Sequence, residues 1–350
     1  MGILVALSGG VDSAVALLRL AAAGGRVEAA IVELWPGDDP RSCCGPTAID
    51  RARAVADACG VRLHVLDDRA RFARAVVEPF VAAYLAGETP NPCVRCNPER
   101  LAALADLADE RRLARVATGH YARLVTAEEG APFLARAADR AKDQSYMLAA
   151  VPPGLLARLV FPLGEATKDE IRAEARGAGL AVADRPESQE VCFAPDGYRG
   201  FLEARGVRPR RGVIVARDGR VLGEHEGHWR FTIGQRRGVG VAAEAPLYVL
   251  ERRAATNEVV VGAVADLETT EVVVRDVLDR GIRDGDLTAQ LRYRSPAVPV
   301  AEVVPLAAPA GALLVRLATP FSAPAPGQAA VFYRGDRVVG AGLVGAGEGV

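Results

Sequence analysis

The apolar and polar positions near the start of the chain fall in blocks. Ile3-Leu4-Val5 is an apolar run, Ser8-Gly9-Gly10 is small and polar, and Ala14 to Ala23 is apolar and rich in alanine. This series predicts a buried strand, a glycine turn and a helix. Gly24-Gly25 stops the helix, Val27 to Trp35 reads as a second strand, and Pro46 opens a helix that ends at Cys59-Gly60. A third strand is expected over Val61 to Leu66 and a helix over Phe72 to Ala86. After a break at Gly87 to Pro92 come a helix over Arg100 to Arg112 and a strand over Ala114 to Ala117. Such alternation predicts an α/β fold with a parallel, doubly wound sheet, its ligands at the carboxyl ends of the strands. Residue 8 and residues 118–120 both fall at such ends. Thr167-Lys168-Asp169-Glu170 is a capping box starting a helix that reaches Gly177.

Beyond Cys192 the period changes. Residues 207–262 are short alternating apolar runs broken by glycine. From Glu271 onward Val272-Val273-Val274, Gln290-Leu291-Arg292-Tyr293, Leu313-Leu314-Val315 and Ala330-Val331-Phe332 read as strands of a small β-barrel. Three domains are expected: 1–198, a small central one at 199–265, and a C-terminal barrel at 266–350.

Composition adds less than distribution does. With 350 residues, 50% apolar and 25% charged, the chain is of ordinary globular type. No run is long enough to cross a bilayer and no leader precedes the first strand, so a cytoplasmic protein without membrane contact is expected. Six cysteines in a reducing compartment suggest chemistry or metal, not a disulfide scaffold. Net charge is −1, yet residues 199–240 hold ten arginines against four acids, a plausible phosphate footprint. Of 43 basic residues only Lys142 and Lys168 are lysines. A compact ammonium is retained where a planar guanidinium does not fit. Lys142 is expected to matter, and Lys168, in a helix's first turn, to be nearly silent.

Ala6-Leu7-Ser8-Gly9-Gly10-Val11-Asp12-Ser13 carries the first chemistry. Two glycines let the backbone approach a ligand, and the amides of the turn and helix start converge on one spot suited to an anion. Ser8 and Ser13 add hydroxyls, and Asp12 suits a magnesium ion held against phosphates. Neither Gly-x-x-x-x-Gly-Lys nor Gly-x-Gly-x-x-Gly is present. Ser-Gly-Gly-x-Asp-Ser resembles the pyrophosphate loop of the ATP-pyrophosphatase superfamily. Further on, Asn91-Pro92-Cys93-Val94-Arg95-Cys96-Asn97 sets two cysteines three apart, in a loop expected to precede a helix, with Arg95 favouring a thiolate. Cys192 follows Pro186-Glu187-Ser188-Gln189-Glu190-Val191. Cys59 reads as a core residue, and the Cys43-Cys44 pair has no assigned role.

These blocks occur in one order with Thr118-Gly119-His120-Tyr121, Lys142-Asp143-Gln144-Ser145-Tyr146, Thr232 to Gly238, Leu291 to Arg294 and Pro326 to Tyr333. Together they resemble the bacterial tRNA-specific 2-thiouridylases over nearly the whole chain. The resemblance implies that ATP activates the C2 oxygen of a wobble uridine as an adenylate, and that sulfur carried as a cysteine persulfide displaces AMP. It implies Cys96 as the catalytic nucleophile and Cys192 as the persulfide carrier, loaded by a sulfur relay or cysteine desulfurase. Ala6, Leu7, Ser8, Gly9, Gly10, Val11, Asp12, Ser13, Val32 and Gly119 match its ATP contacts. Asn91, Pro92 and Cys93 match the part that meets the target base. Lys142, Asp143 and Gln144 match a tRNA-contacting segment, and His120, Arg292, Tyr293 and Gln328 match further tRNA contacts.

Two departures stand out. Many family members have an acid at the position of Cys93, so this chain has three cysteines where those have two. Cys93, Cys96 and Cys192 would suffice to hold a [4Fe–4S] cluster with one iron open to sulfide, and the expectation leans slightly to that cluster. Arg100-Leu101 also stands where a lysine is common. Simple packing is expected for Phe231, whereas Trp229 among arginines also suits stacking on a turned-out base. Two other readings remain open. One is a pyrophosphate-loop synthetase of amidotransferase type acting on a small carboxylate. The other is an RNA-binding protein with a structural metal at its cysteines.

Overall fold

A computed structural model describes residues 2–37, 45–126, 132–185, 191–308 and 310–346. Cys43 and Cys44, and residues 186–190 before Cys192, lie outside them. The chain divides into two units, Met1–Val77 with Cys93–Gly197 and Asp336–Val338, and Glu78–Pro92 with Tyr198–Gly335 and Val339–Val350.

In the first unit β1 (Ile3–Leu7), α1 (Val11–Ala22), β2 (Val27–Glu33), α2 (Pro46–Ala58) and β3 (Leu63–Asp67) follow the expected alternation. Proline at the first position of α2 fits, because its fixed φ is helical and the amide it lacks has no partner there. Next come α3 (Arg69–Phe72) and a π-helical turn, Ala73–Val77. The same helical run continues into α4 (Glu78–Leu85), which belongs to the second unit. The first unit resumes with α5 (Pro92–Glu110), β4 (Arg115–Thr118), β5 (Arg123–Val125), β6 (Phe133–Ala135), α6 (Ser145–Leu148), α7 (Pro153–Leu156), β7 (Leu159–Val160) and α8 (Lys168–Gly177). Five strands pair in the order β3-β2-β1-β4-β7, all parallel. Val5, Leu7, Val15, Leu17, Ile31, Ala52 and Ile171 join one buried core. Parallel strands with helices on both faces are apolar throughout, which is why these read as unbroken runs.

Position 92 corrects one expectation. The cysteine pair does not lie in a loop before the helix; α5 already starts at Pro92 and carries both thiols in its first turns. Proline at the helix start favours that conformation, and Pro98 is accommodated inside it.

The second unit is built of β-structure and begins, beyond α4, with α9 (Tyr198–Ala204). β8 (Gly212–Ala216), β9 (Val221–His225), β10 (Tyr248–Arg253) and β11 (Glu258–Gly262) form a sheet ordered β10-β11-β8-β9. Ile214, Phe231, Val249, Val259 and Val261 fill its core. The last strands are β12 (Glu268–Asp279), β13 (Leu287–Gln290), β14 (Val298–Pro305), β15 (Leu313–Ser322), β16 (Ala329–Arg334) and β17 (Arg337–Val344). They run in the order β12-β15-β14-β13-β16-β17, and β12 pairing with β17 closes a six-stranded barrel. Closure removes the exposed edges an open sheet would have. The strand expected over residues 290–293 ends earlier, at Gln290. Arg294 takes φ 61, and the Ser295 amide donates to the Arg292 carbonyl, so Arg292 and Tyr293 sit in a turn.

Candidate active site

The glycine turn between β1 and α1 is specified at the level of the backbone. Gly9 takes φ +63, and a Cβ there would lie 2.9 Å from the Ala48 carbonyl oxygen. Gly10 caps α1 without a side-chain hydrogen bond, so the first helical amides remain for a ligand. The Ser8 amide donates to Ser13 Oγ at 3.1 Å, and Ser13 Oγ donates to the Gly10 carbonyl at 3.1 Å. Gly119 follows β4, and a Cβ on it would fall 2.6 Å from the Ser13 nitrogen. The strand end and the helix start touch because Gly119 has no side chain. Residue 8 and residues 118–120 were both expected at carboxyl ends of strands, and β1 and β4 prove to be neighbours. Val32, buried in β2, lies near the same edge.

The surroundings of Asp12 were not foreseen. Lys168 Nζ donates to both of its carboxylate oxygens, at 2.6 and 2.8 Å, and the Tyr121 hydroxyl donates to Oδ1 at 2.8 Å. The Lys168 side chain is only 8% exposed, and the capping box that fixes the start of α8 aims it there. Lys168, expected to be silent, is therefore the lysine built into the turn. Arg51 Nε and Arg185 Nη1 donate to the Gly9 carbonyl at 3.2 and 2.8 Å. Three cations and one carboxylate surround the turn, an excess of positive charge that suits a polyphosphate. Lysine scarcity was the one signal that could have found Lys168; Tyr121 stood in the Thr118 to Tyr121 block without a role, and Arg51 and Arg185, distant in sequence, left no signal.

Lys142, Asp143 and Gln144 play different parts. Asp143 accepts from the Ala137 and Ser145 amides, the Ser145 hydroxyl and Arg136 Nη1, and its side chain is 6% exposed. Gln144 Oε1 accepts from the Tyr121 amide at 3.0 Å, while its own amide donates to the Tyr121 carbonyl at 2.8 Å. Gln144 thus holds Tyr121, which holds Asp12. Lys142 remains partly exposed. His120 Nδ1 lies 2.8 Å from Thr118 Oγ1, with Phe161 edge-on to its ring. The ring keeps some surface yet is closely surrounded. Burial, aided by Arg100, pushes its pKa down to about 3, so it is neutral near pH 7 and offers a hydrogen-bonding ring, not a cation.

Cys93 and Cys96 stand three apart on α5 and so share a face; Cys93 is exposed and Cys96 partly buried. Arg95 Nε donates to the Ala75 carbonyl in the π-helical turn at 2.8 Å. Asn97 Nδ2 donates to the Met147 carbonyl at 2.9 Å, which anchors the turn carrying Cys96. Cys192 is partly buried, and its neighbour Phe193 packs against Trp35 and Phe72 at 6.0 and 5.7 Å between ring centres. Among the described residues no three His, Cys, Asp or Glu side chains are grouped to hold a metal. The three thiols as placed form no such group, and Asp12 carries the Lys168 ammonium on both carboxylate oxygens. Cys59 packs against the core, and burial raises its pKa.

In the second unit Arg292 is exposed, with its guanidinium 5.7 Å from the Phe321 ring centre, and Arg294 lies 5.1 Å over Tyr293. Gln328 Nε2 donates to the Thr89 carbonyl at 2.5 Å. Asn91 and Pro92 follow two and three residues after Thr89. Trp229 and Phe231 are 3% and 6% exposed, so both pack inside the unit.

Three family models match in succession: a tRNA methyl transferase HUP domain over residues 1–196, a tRNA methyl transferase PRC-barrel domain over 199–263, and an aminomethyltransferase beta-barrel domain over 277–344. A tRNA-specific 2-thiouridylase MnmA of Sorangium cellulosum is 44% identical over 98% of this chain and 91% of its own length. One of Rhodospirillum rubrum is 44% identical over 98% and 96%. The chain belongs to the tRNA-specific 2-thiouridylase family. A bifunctional protein NifU/MnmA of Rubrobacter xylanophilus is 47% identical over 98% of this chain and 70% of its own length. Among solved structures, a 4-thiouridine synthetase with RNA and ATP aligns over 58% of this chain and 50% of its own, at 18% identity and TM-score 0.39. No described helix is long and apolar enough to cross a membrane.

Proposed function

We propose that the chain is an ATP-dependent tRNA sulfurtransferase that converts a wobble uridine to 2-thiouridine. Full-length identity to the 2-thiouridylases carries this reading. The family models carry methyl transferase in their descriptions, but an amide-lined glycine turn ringed by Lys168, Arg51 and Arg185 suits a nucleotide's phosphates, and the thiols suit sulfur. The synthetase and structural-metal alternatives draw no support from these relatives, and among the described residues the cysteines form no metal group.

ATP would lie along Ala6 to Ser13, Val32 and Gly119, with magnesium entering on the nucleotide's own phosphates. The uridine C2 oxygen attacks the α-phosphorus and pyrophosphate leaves, its charge met by the turn amides and the three cations. The terminal sulfur of a Cys192 persulfide then attacks C2, and AMP departs with the oxygen. Cys96 attacks the Cys192 sulfur, releasing 2-thiouridine and leaving a Cys96–Cys192 disulfide that an external dithiol must reduce. This ordering places the persulfide ahead of the cluster. A cysteine desulfurase or sulfur relay would load Cys192, in the cytoplasm where tRNA is processed.

Asn91, Pro92 and Cys93 would meet the target base. His120, Lys142, Arg292, Tyr293 and Gln328 would add tRNA contacts, with Asp143 holding Ser145 and Arg136 and Gln144 holding Tyr121. The arginines of residues 199–240 supply the phosphate footprint of a central domain, followed by the barrel. Full-length protein given ATP, uridine-34 tRNA and a small persulfide should release pyrophosphate and form 2-thiouridine, read by chromatography of digested tRNA. Pyrophosphate release that a small carboxylate supports and tRNA does not would sink the reading.

A further inference from the structure

Lys168 and Tyr121, the two side chains that hold Asp12, are themselves held by one short segment of the first unit, residues 139–144. At one end of it Asp139 Oδ2 accepts from the Lys168 amide at 3.1 Å. That amide opens α8 and has no partner within the helix, so the carboxylate satisfies it and meets the positive end of the helix dipole. At the other end Gln144 holds the Tyr121 backbone twice. Its Oε1 accepts from the Tyr121 amide at 3.0 Å, and its own amide donates to the Tyr121 carbonyl at 2.8 Å. The Lys168 ammonium also lies 5.7 Å from the centre of the Tyr121 ring, so the two holders touch each other as well as Asp12.

The segment is tied down along its length. Asp139 Oδ1 accepts from the Ala141 amide and its carbonyl from the Lys142 amide, both at 3.1 Å. Asp143, buried, accepts from the Ala137 amide and Arg136. The Ala138 amide donates to the Gly164 carbonyl at 2.9 Å, and a Cβ on Gly164 would fall 2.2 Å from the Ala122 carbonyl oxygen. The segment is therefore seated between the residue after Tyr121 and the approach to α8. Lys142, a partly exposed cation, stands between Asp139 and Gln144. Whatever restrains Lys142 restrains both holders of Asp12 through only two or three residues of chain.

We propose that Asp139 and Gln144 are positioning residues through which an RNA phosphate held at Lys142 steadies Asp12, and so couple tRNA binding to ATP binding at the glycine turn. The role rests on the tRNA reading above. Ordering the segment and the turn costs conformational entropy, and a ligand that meets this cost first spares the second one from it. Each ligand then tightens the other by the same factor. ATP would be gripped best when the uridine to be activated is already present, which limits its loss to water.

The test uses the full chain and an ATP analogue with a methylene between the α- and β-phosphates, which cannot release pyrophosphate. Its Kd is measured by calorimetry with and without saturating uridine-34 tRNA, whose own binding is followed by fluorescence anisotropy. The tRNA should tighten the analogue about tenfold in the wild type, within the usual range of coupling between sites. Asp139→Ala, Gln144→Met and Lys142→Ala should each cut that ratio below about twofold. A merely structural part would weaken the analogue equally with and without tRNA and leave the ratio alone. That outcome in any variant that melts close to wild type overturns the proposal, as does a wild-type ratio near one with tRNA bound. A wild type that binds no tRNA brings down the tRNA reading itself.

Discussion

The glycine turn and the thiol helix are organised on different terms. At the turn, Ser8, Ser13, Gly9 and Gly119 close on one another, and missing side chains set the geometry. Distant partners then reach in: buried Lys168 and Tyr121 to Asp12, and half-buried Arg51 and Arg185 to the Gly9 carbonyl. At the thiols, Cys93 and Cys96 share a face of α5, but Cys192 is not grouped with them as a metal site. Phosphate chemistry needs donors preset around a developing charge, because rearranging dipoles during the reaction is costly. Persulfide transfer needs each thiol reached in turn, so no closed group has to be built.

The largest expected effect tests the steric half. Gly119→Ala forces a Cβ to 2.6 Å from the Ser13 nitrogen, and tRNA-dependent pyrophosphate release should vanish along with several degrees of melting temperature. Near-normal release would mean that the turn tolerates what its packing forbids. The thiol half comes next. Cys96→Ser and Cys192→Ser should each abolish 2-thiouridine while pyrophosphate release continues, and Cys93→Ser should cost little. Simultaneous failure of all three, with iron in the wild type and none in the variants, would restore the cluster.

Lys168→Arg should lower pyrophosphate release on the order of 100-fold, because a planar fork cannot replace a buried ammonium held by two carboxylate oxygens. Asp12→Asn leaves that ammonium buried without its counter-charge, and denaturant titration should find a loss of roughly 3 kcal/mol. Lys142→Arg, by contrast, should change tRNA KM only a few-fold, the reverse of the ranking expected from sequence. Equal effects at the two lysines would erase the distinction.

The smallest effect is a pH dependence on the nucleotide side. The His120 pKa lies at about 3 in the folded chain against 6.5 when unfolded. Its neutral form therefore supports the fold fully above 6.5, and that support is lost as pH falls from there toward 3. By about pH 5.5 roughly 1 kcal/mol should be gone. His120→Asn should flatten the melting temperature over that range, and an unchanged slope would mean the ring is not buried in its neutral form.

Much of this was legible in one dimension. The strand, turn and helix at residues 3–23, the parallel alternation and the change to β-structure after Cys192 all follow from local period and glycine position. The meeting of Ser13 with Gly119 follows from the rule that places ligands at strand ends. Boundaries were less legible. α5 starts earlier than expected because Pro92 suits a helix start, and β13 stops at Gln290 because Arg294 turns left-handed.

What tertiary structure alone decided are the partners. Which of two lysines meets Asp12 depends on where α8 packs, 156 residues away, and no local pattern encodes that distance. The same holds for Gln328 on Thr89, and for Gln144 on Tyr121. Local sequence sets backbone conformation, because sterics act between near neighbours. The pairing of buried polar groups is settled when distant elements pack, because only then does an unsatisfied donor or acceptor become costly.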